Sequence, residues 1–347
     1  MPTFDQLSDY KEGLAGSRHV LLMGGSKMGK TDWIAQAAND GYEILYFDND
    51  NARVTLAATL TPAAQKRVHY FAPDSESLGD LMELFIDTAM IRYNFRTNEV
   101  YVANSAKPDD KIAELWPARI PRNVIVSFDS WTSVAWSLLR QKAAKMQVDL
   151  ADIDKWGREI YGNAGFRATN ILKHLQLAPF HWVIHGHPVM LEIKEKPPGV
   201  VGDIKEKDMI IRKTIEVPMS TSNVHGESLA KYCNEIGYLS LNAAGKPVLD
   251  WRVTRGRISG GSLNSFGDPR VDQRWSVLFG KPQPVVEGAL PWIRYYTHAD
   301  LELERKAKAA AAPRLGGAPK PSLAAPTVSQ GALKPTAAIA QQEGAKK

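Results

Sequence analysis

The residues with the clearest chemical pattern form one glycine-rich segment near the N-terminus. The segment reads Gly24, Gly25, Ser26, Lys27, Met28, Gly29, Lys30 and Thr31, and it fits the spacing G-x-x-x-x-G-K-S/T. Glycines at these positions let backbone N–H groups wrap a phosphate, and Lys30 would bridge the β- and γ-phosphates. Thr31 would hold Mg²⁺ through its hydroxyl, whereas Lys27 is expected to face solvent. The spacing therefore predicts a site for ATP and Mg²⁺.

A strand before this segment and a helix after it are what such a phosphate site needs. Residues 19–23, HVLLM, form an apolar run, and residues 32–38 continue with an amphipathic helical pattern that stops near Gly41. The start of that helix would add a favourable dipole to the phosphate groups. The alternative is a glycine turn that carries an incidental lysine.

Carboxylates follow two other strands. Residues 123–128, NVIVSF, lead directly to Asp129, which is suited to order a Mg²⁺-bound water. The next residue is Ser130 and not glutamate, so the group that activates the attacking water must come from elsewhere. The strand after the phosphate segment leads to Asp48 and Asp50, and catalytic groups of open α/β sheets collect at such strand ends. We predict that Asp50 orients and deprotonates the water. The alternative is that Asp48 and Asp50 cap the following loop or helix.

Apolar runs alternate with amphipathic segments along much of the chain. The runs that read as strands are residues 19–23, 43–47, 68–71, 123–128, 181–185, 236–241 and 248–253. Continuous apolar strands separated by helices indicate an α/β fold with a mainly parallel twisted sheet and helices on both faces. Turn residues at 242–247 predict that the last two strands form an antiparallel hairpin.

Length and composition exclude several classes of protein. The chain has 347 residues, of which 44% are hydrophobic and 23% charged, so it is neither a fibre nor a fully disordered chain. Its single cysteine, Cys233, cannot form an internal disulfide, and a reducing compartment is expected. No signal peptide or run of about 18 apolar residues is visible, so we expect a cytoplasmic protein without a membrane partner.

The net charge of +5 is unevenly distributed. Residues 305–347 hold eight basic residues against one acidic residue, Glu343, and carry +7, which leaves −2 for the other residues. Residues 313–347 are basic, rich in Ala and Pro, free of aromatic side chains and expected to be disordered. This tail is either a solubilising appendage or a basic arm that holds a polyanion.

The order of these motifs resembles that of the RecA-like core ATPases of the P-loop class, closest to compact phage-encoded recombination ATPases, over much of residues 19–262. The resemblance implies that Asp50 stands where the family has its catalytic glutamate, one methylene shorter. It implies that His187, after a late apolar strand, senses the γ-phosphate, where RecA itself has glutamine. It also implies that Arg255 and Arg257 reach the nucleotide of a neighbouring subunit, as forked guanidinium donors would. The chain is then expected to form a homo-oligomer with trans-acting arginines.

In RecA-like proteins a mobile loop that binds single-stranded DNA follows the sensor strand, and the resemblance assigns that role to residues 190–225. The DNA-binding candidates are the basic residues Lys194, Lys196, Lys205, Lys207, Arg212 and Lys213. Acidic residues lie among them, so a solvated insertion with balanced charge is the alternative. Trp156 is a candidate for stacking on a base, with core packing as its competing role.

A cluster of histidines raises the alternative of a zinc site. His174, His181, His185 and His187 lie close together in sequence. His185 and His187 share one face of a strand, but His181 lies at its start and no cysteine is nearby. This arrangement disfavours zinc binding.

These inferences predict an ATP-hydrolysing RecA-like protein that acts on single-stranded DNA in phage recombination or replication, in the host cytoplasm. A single-strand-binding or recombination protein would be a further partner. Two other functions stay open. One is a hexameric ring motor, such as a helicase or packaging ATPase, and the other is a non-catalytic, nucleotide-dependent adaptor or assembly protein.

The expected organisation places an ATPase core between two terminal segments. The segments are a lead-in at 1–18, the core at 19–262 with an insertion at 89–120, an extension at 263–312 that ends in a helix, and the tail at 313–347. A capping box at Thr297 and Asp300 is expected to open that helix.

Overall fold

The computed structural model describes most residues between 17 and 311. The described residues are 17–74, 77–87, 90–101, 110–151, 153, 156–200, 202–203, 205, 209–251, 260–261, 275–284 and 291–311. Two compact units divide the chain, Met1–Glu302 and Leu303–Lys347.

The described strands and helices alternate through the first half of the chain, as the apolar pattern predicts. The strands are β1 (His19–Met23), β2 (Glu43–Asp48), β3 (Val68–Phe71), β4 (Ile91–Asn94), β5 (Val100–Tyr101), β6 (Lys111–Leu115), β7 (Val124–Asp129), β8 (His181–Gly186), β9 (Pro188–Glu195), β10 (Ile210–Pro218), β11 (Glu235–Leu241), β12 (Pro247–Asp250), β13 (Gly260–Gly261) and β14 (Ile293–Thr297). The helices are α1 (Lys30–Asn39), α2 (Arg53–Thr59), α3 (Pro62–Gln65), α4 (Leu78–Asp87), α5 (Trp131–Lys145), α6 (Arg158–Gln176), α7 (Asn223–Leu229), α8 (Trp275–Phe279) and α9 (His298–Ala311).

The main sheet has the strand order β12–β11–β1–β8–β7–β2–β3, and β13 also pairs with β11. The strands from β11 through β3 run parallel to one another. Strands β12 and β13 are antiparallel to β11. The structure therefore confirms the α/β fold with a mainly parallel sheet, and it confirms the hairpin predicted from the turn at 242–247.

Alternate side chains of the central strands enter two hydrophobic cores, one on each face of the sheet. Leu21 and Met23 of β1 belong to the core that includes residues of α4, α5 and α6. Val20 and Leu22 belong to the core that includes residues of α1, α2 and α8. Successive residues of a strand point to opposite faces, so a strand covered by helices on both sides is apolar throughout.

The register of the parallel strands brings the predicted site residues to one edge. Met23 is the partner of Gly186 across β1 and β8, and Asp48 is the partner of Asp129 across β2 and β7. The segments that leave these strands therefore meet at the carboxyl edge of the sheet, where open α/β folds bind ligands.

A smaller antiparallel sheet, of order β14–β6–β4–β5, occupies the described part of the region expected as an insertion at 89–120. The sequence pattern of β6 does not predict a strand. Its residues Ile112, Ala113, Glu114 and Leu115 are all buried, so the alternation of a half-exposed strand is missing.

Strands β9 and β10 form an antiparallel ribbon in the region 190–225, where the sequence analysis expected a loop. The register pairs Val189 with Val217 and Leu191 with Ile215, and Ile215 and Val217 are buried. The correction has a physical reason, because the burial of one apolar face fixes the base of the ribbon as paired strands. Charged residues along the strands conceal that pattern in the sequence.

The capping box predicted at Thr297 and Asp300 is confirmed at the start of α9. The Thr297 N–H donates to Oδ2 of Asp300 at 2.8 Å, and the Asp300 N–H donates to Oγ1 of Thr297 at 3.2 Å. Each side chain thus satisfies a backbone donor at the helix end. Of the helices in the described residues, none combines the length and the apolar character that crossing a bilayer would take.

Candidate nucleotide-binding site

The glycine-rich segment forms a tight loop between β1 and α1, held by two close backbone approaches. Gly29 has a φ of 89°, and a Cβ atom there would lie 3.0 Å from the Pro247 ring. A Cβ atom on Gly24 would lie 3.0 Å from the carbonyl oxygen of Leu239. Both contacts favour glycine, and they seat the loop against the β11–β12 hairpin. Helix α1 begins directly after the loop, so its first N–H groups point toward any bound anion.

The Lys30 side chain is buried beneath this loop. Its Nζ donates to the carbonyl oxygens of Gly24 at 2.7 Å and Gly25 at 2.9 Å. Burial lowers the pKa of Lys30, although the charges of Asp129 and Asp50 oppose the shift. Lys27, in contrast, is exposed, as the sequence analysis expected.

Asp129 lies at the end of β7 with both carboxylate oxygens engaged. Its Oδ2 accepts from Thr31 Oγ1 at 3.3 Å and from the Tyr46 hydroxyl at 2.5 Å. Its Oδ1 lies 3.3 Å from Nδ1 of His185, a close contact without the alignment of a hydrogen bond. Burial alone would raise the pKa of Asp129, but His185, Tyr46 and Lys30 outweigh it and hold that pKa well below its ordinary value. Asp129 is therefore a carboxylate at neutral pH.

The hydroxyl of Thr31 and the carboxylate of Asp129 fit a magnesium site. Both are hard oxygen ligands of the kind that Mg²⁺ takes together with substrate phosphates. Burial and the nearby Asp129 raise the pKa of Tyr46, so its hydroxyl keeps the proton that it donates to the carboxylate. The donor set is thus compatible with Mg²⁺ held between this pair and a nucleotide.

Asp50 and His187, predicted separately as base and sensor, are in contact. The Asp50 Oδ2 lies 3.1 Å from Nε2 of His187, and Oδ1 accepts from the Ser133 hydroxyl at 2.8 Å. Partial burial would raise the pKa of Asp50, but these two hydrogen bonds lower it below its ordinary value. Asp50 is ionised at neutral pH and can accept a hydrogen bond from a water.

Asp48 has the capping role that the sequence analysis kept as an alternative for both aspartates. Its Oδ1 accepts from the Asp50 N–H at 2.9 Å, and its Oδ2 accepts from the Tyr70 hydroxyl at 2.5 Å. Asp48 is buried, and its bonds fix the turn that carries Asp50. The catalytic role predicted for Asp50 stays a prediction.

A cavity of about 390 Å³ joins these groups. It is lined by Ser26, Lys27, Met28, Gly29, Lys30, Thr31, Asp32, Asp50, Asn51, Ala52, Thr55, Asp129 and His187. Residues of the phosphate loop, Asp129, Asp50 and His187 thus line the same cavity. The cavity can therefore hold a polyphosphate beside a candidate water-activating carboxylate.

The DNA-binding candidates among the described residues lie on or near the ribbon, and several carry an acidic neighbour. Lys194 lies 3.8 Å from Glu192, and Arg212 lies 3.3 Å from Glu195. Lys196 lies 3.9 Å from an Asp203 oxygen. Lys205 and Lys213 are exposed. The sixth DNA-binding candidate, Lys207, and the two predicted trans-acting arginines, Arg255 and Arg257, lie outside the described residues.

The other residues singled out in the sequence have packing roles. His181 accepts the Arg18 N–H at 3.0 Å through Nδ1, at the opposite end of β8 from His185. Trp156 is buried and donates to the carbonyl oxygen of Asp149 at 3.2 Å, so it packs in the core. Within the described ranges, no group of three or more His, Cys, Asp or Glu side chains is placed to hold a metal ion.

Three residues that contact Asp129 or Asp50 have no role predicted from the sequence, namely Tyr46, His185 and Ser133. Tyr46 and His185 interrupt otherwise apolar strands, and a hydrogen-bonding side chain inside such a strand is the signal that marks them. Ser133 carries a weaker signal. It stands three residues after Ser130, in the first turn of α5.

Comparisons with known proteins add little to this geometry. No family model matches the chain, and no curated protein matches it. Among solved structures, 54 chains match. One is described as a prototypical ATPase from the type III secretion system of pathogenic bacteria, with 11% identity, a TM-score of 0.33 and coverage of 67% of this chain. The chain spans about 56% of the length of that ATPase. The α/β fold and the geometry of the glycine-rich loop therefore rest on the chain's own strand order and contacts.

Proposed function

We propose that this chain binds ATP with Mg²⁺ and hydrolyses it. The observation that carries the proposal is that one cavity is lined by Lys30, Thr31 and Asp129 together with Asp50 and His187. Phosphate-binding groups alone would suit a nucleotide-dependent adaptor. A further ionised carboxylate in the same cavity, that of Asp50, favours hydrolysis, because it supplies the group that orients water.

Each residue then has a defined task. The loop N–H groups and Lys30 bind the β- and γ-phosphates, and Thr31 and Asp129 hold Mg²⁺, which neutralises phosphate charge when bound. Asp50 orients the attacking water and accepts its proton. His187 donates either to Asp50 or to the γ-phosphate, so it can respond to the state of the nucleotide.

The test separates binding from turnover. Lys30→Ala should weaken binding of a fluorescent ATP analogue and abolish turnover, because it removes the positive charge that contacts the β- and γ-phosphates. Asp50→Asn should keep binding and lower turnover by roughly 10²-fold or more. Lys66→Ala is the matched control, since Lys66 is an exposed lysine outside the cavity. Binding without any turnover in the unmodified chain would favour the adaptor.

We propose further that single-stranded DNA is the macromolecular substrate, in phage recombination or replication. Two features support this: the resemblance to RecA-like ATPases and the attachment of the ribbon at His187. The His187 carbonyl oxygen accepts the Met219 N–H at 2.7 Å, just after β10, while β9 begins at the next residue, Pro188. A ligand on the ribbon would thus act at the end of the proposed sensor.

The DNA proposal is tested by charge reversal on the ribbon. Lys205→Glu combined with Lys213→Glu should remove stimulation of ATP turnover by single-stranded DNA and leave the basal rate unchanged. Lys66→Glu is the control for a charge change elsewhere. If DNA does not stimulate the unmodified chain, the DNA role is excluded while the ATPase proposal stands.

The proposed assembly is a head-to-tail homo-oligomer in which Arg255 and Arg257 complete a neighbour's site. Negative-stain microscopy with ATP and Mg²⁺ distinguishes filaments, expected for a recombinase, from the closed hexamers of a ring motor. Turnover that rises with protein concentration and is lost in Arg255→Ala or Arg257→Ala would support trans-acting arginines.

A further inference from the structure

The hydroxyl of Ser133 contacts Asp50 from a different element of the fold. Asp50 follows β2, whereas Ser133 lies in the first turn of α5, which begins right after Asp129 and Ser130. The Ser133 Oγ donates to Asp50 Oδ1 at 2.8 Å and lies 3.4 Å from the Ser130 Oγ. The bond therefore connects the Asp50 carboxylate to α5, the helix that follows β7 and Asp129.

The two donors to Asp50 leave its carboxylate little rotational freedom. Ser133 holds Oδ1 and His187 holds Oδ2, so each carboxylate oxygen has its own donor. The Asp50 side chain is 33% exposed, and without these donors it would be free to turn toward solvent. A water-orienting carboxylate needs a fixed direction, since a misplacement of about 1 Å can lower a rate by about 10²-fold.

Ser133 differs from His187 in what it can do beyond holding Asp50. His187 lies on the cavity wall and is able to meet the nucleotide, but Ser133 is not among the residues that line the cavity. The Ser133 hydroxyl carries no charge and does not titrate in the working range. Its contribution is the direction and the ionisation of Asp50.

We propose that Ser133 is a positioning residue for hydrolysis, which holds the Asp50 carboxylate toward the attacking water. The inference rests on the proposed ATPase function. It gives α5 a role at the site, because this helix supplies a hydrogen-bond donor to Asp50. The bond also links the Asp50 loop to the magnesium side of the cavity, so that base and metal site keep a constant spacing.

The experiment compares Ser133→Ala with Ser133→Thr in the full chain. Ser133→Ala should lower kcat about tenfold, less than the loss of Asp50 itself, and leave the affinity for a fluorescent ATP analogue unchanged. Ser133→Thr keeps the hydroxyl and should restore kcat to within about threefold. Thermal unfolding of both variants checks that the fold is intact.

A pH profile supplies a readout that a merely structural role would not move. The hydrogen bond from Ser133 favours the ionised form of Asp50, so its loss should shift the acidic limb of kcat to higher pH. The titratable groups near Asp50 are Lys30 from α1, Asp129 from β7 and His187 after β8. They are unchanged in the variant, so a shift reports the lost bond.

The outcomes for the two proposals are distinguishable. Turnover that is lost in Asp50→Asn but kept in Ser133→Ala, with an unmoved pH profile, overturns the positioning role alone. Equal losses in Ser133→Ala and Ser133→Thr also overturn it, because the hydroxyl would then be irrelevant. An unmodified chain that binds ATP without turnover overturns the ATPase proposal and the role of Ser133 with it.

Discussion

The two ends of the main sheet both carry buried histidines, in opposite surroundings. At the amino end, His19 stacks on Trp182 with ring centroids 4.8 Å apart, and His181 accepts the Arg18 N–H. Burial lowers the pKa of both histidines to about 4, so both are neutral at physiological pH. These rings act as packing groups that satisfy backbone atoms.

At the carboxyl end, the histidines face carboxylates. His185 is fully buried beside Asp129, and the more exposed His187 bonds to Asp50. One residue type thus serves packing at one end of β8 and the placement of charge at the other. The groups that each histidine contacts, and not the clustering of histidines in sequence, therefore distinguish the two ends. This difference predicts that changes at the carboxyl end alter turnover and that changes at the amino end alter stability.

The largest effect is expected for Asp129→Asn. The amide cannot hold Mg²⁺ as a carboxylate does, so turnover should fall by about 10²–10³-fold. The measurement is ATP turnover over a titration of Mg²⁺, together with binding of a fluorescent ATP analogue. Thr31→Ser is the control, because serine keeps the hydroxyl that is the other proposed Mg²⁺ ligand. Turnover within threefold of the unmodified chain would show that Asp129 is not needed for hydrolysis. The proposed difference between the two ends of the sheet would then be wrong.

Much of this carboxyl end could be predicted from the sequence. The Gly24–Thr31 spacing and the apolar run before Asp129 are local signals, because the chemistry requires these residues beside one another along the chain. The assignment of Asp50 required one more step, which was the rule that parallel strands end at one edge. The contacts of Asp50 with His187 and Ser133 were beyond reach, because they join residues that are far apart in sequence and depend on side-chain direction.

The fold divides in the same way. The main sheet was predicted because its strands are buried on both faces and read as apolar runs. The smaller sheet was not, since β4 and β6 pair with β14, which lies far along the chain. The ribbon was missed because only its base is buried, and the base is a small part of its length.

The second effect concerns stability at the amino end in acid. The pKa of His181 is about 4 in the folded chain against 6.5 as its ordinary value, so the unfolded chain binds more protons between these pH values. Stability is therefore greatest above pH 6.5 and is lost as the pH falls toward 4, by on the order of 3 kcal/mol for each such histidine. Urea unfolding at pH 7.5 and 4.5 should show the loss.

His181→Gln isolates this contribution. Glutamine does not titrate, so the variant should lose clearly less stability than the unmodified chain between the two pH values. His174→Gln is the control, because it makes the same substitution at an exposed histidine. The lowered pKa of Asp129 acts in another window, below its ordinary value of 3.8. An equal pH dependence in all three chains would show that the amino-end histidines are not held neutral.

The smallest effect is expected for His187→Gln. Together with His187→Ala, this variant tests whether the contact of His187 with Asp50 contributes to turnover. A glutamine amide can donate to Asp50 as the imidazole does, and the side chain is 28% exposed, so little packing is lost. Turnover should stay within about threefold and the free energy of unfolding within about 0.5 kcal/mol. His187→Ala removes the donor, so its turnover should fall well below that of His187→Gln at the same stability. Equal turnover in the two variants would mean that the contact with Asp50 is incidental, and His187 would then resemble the packing histidines of the amino end.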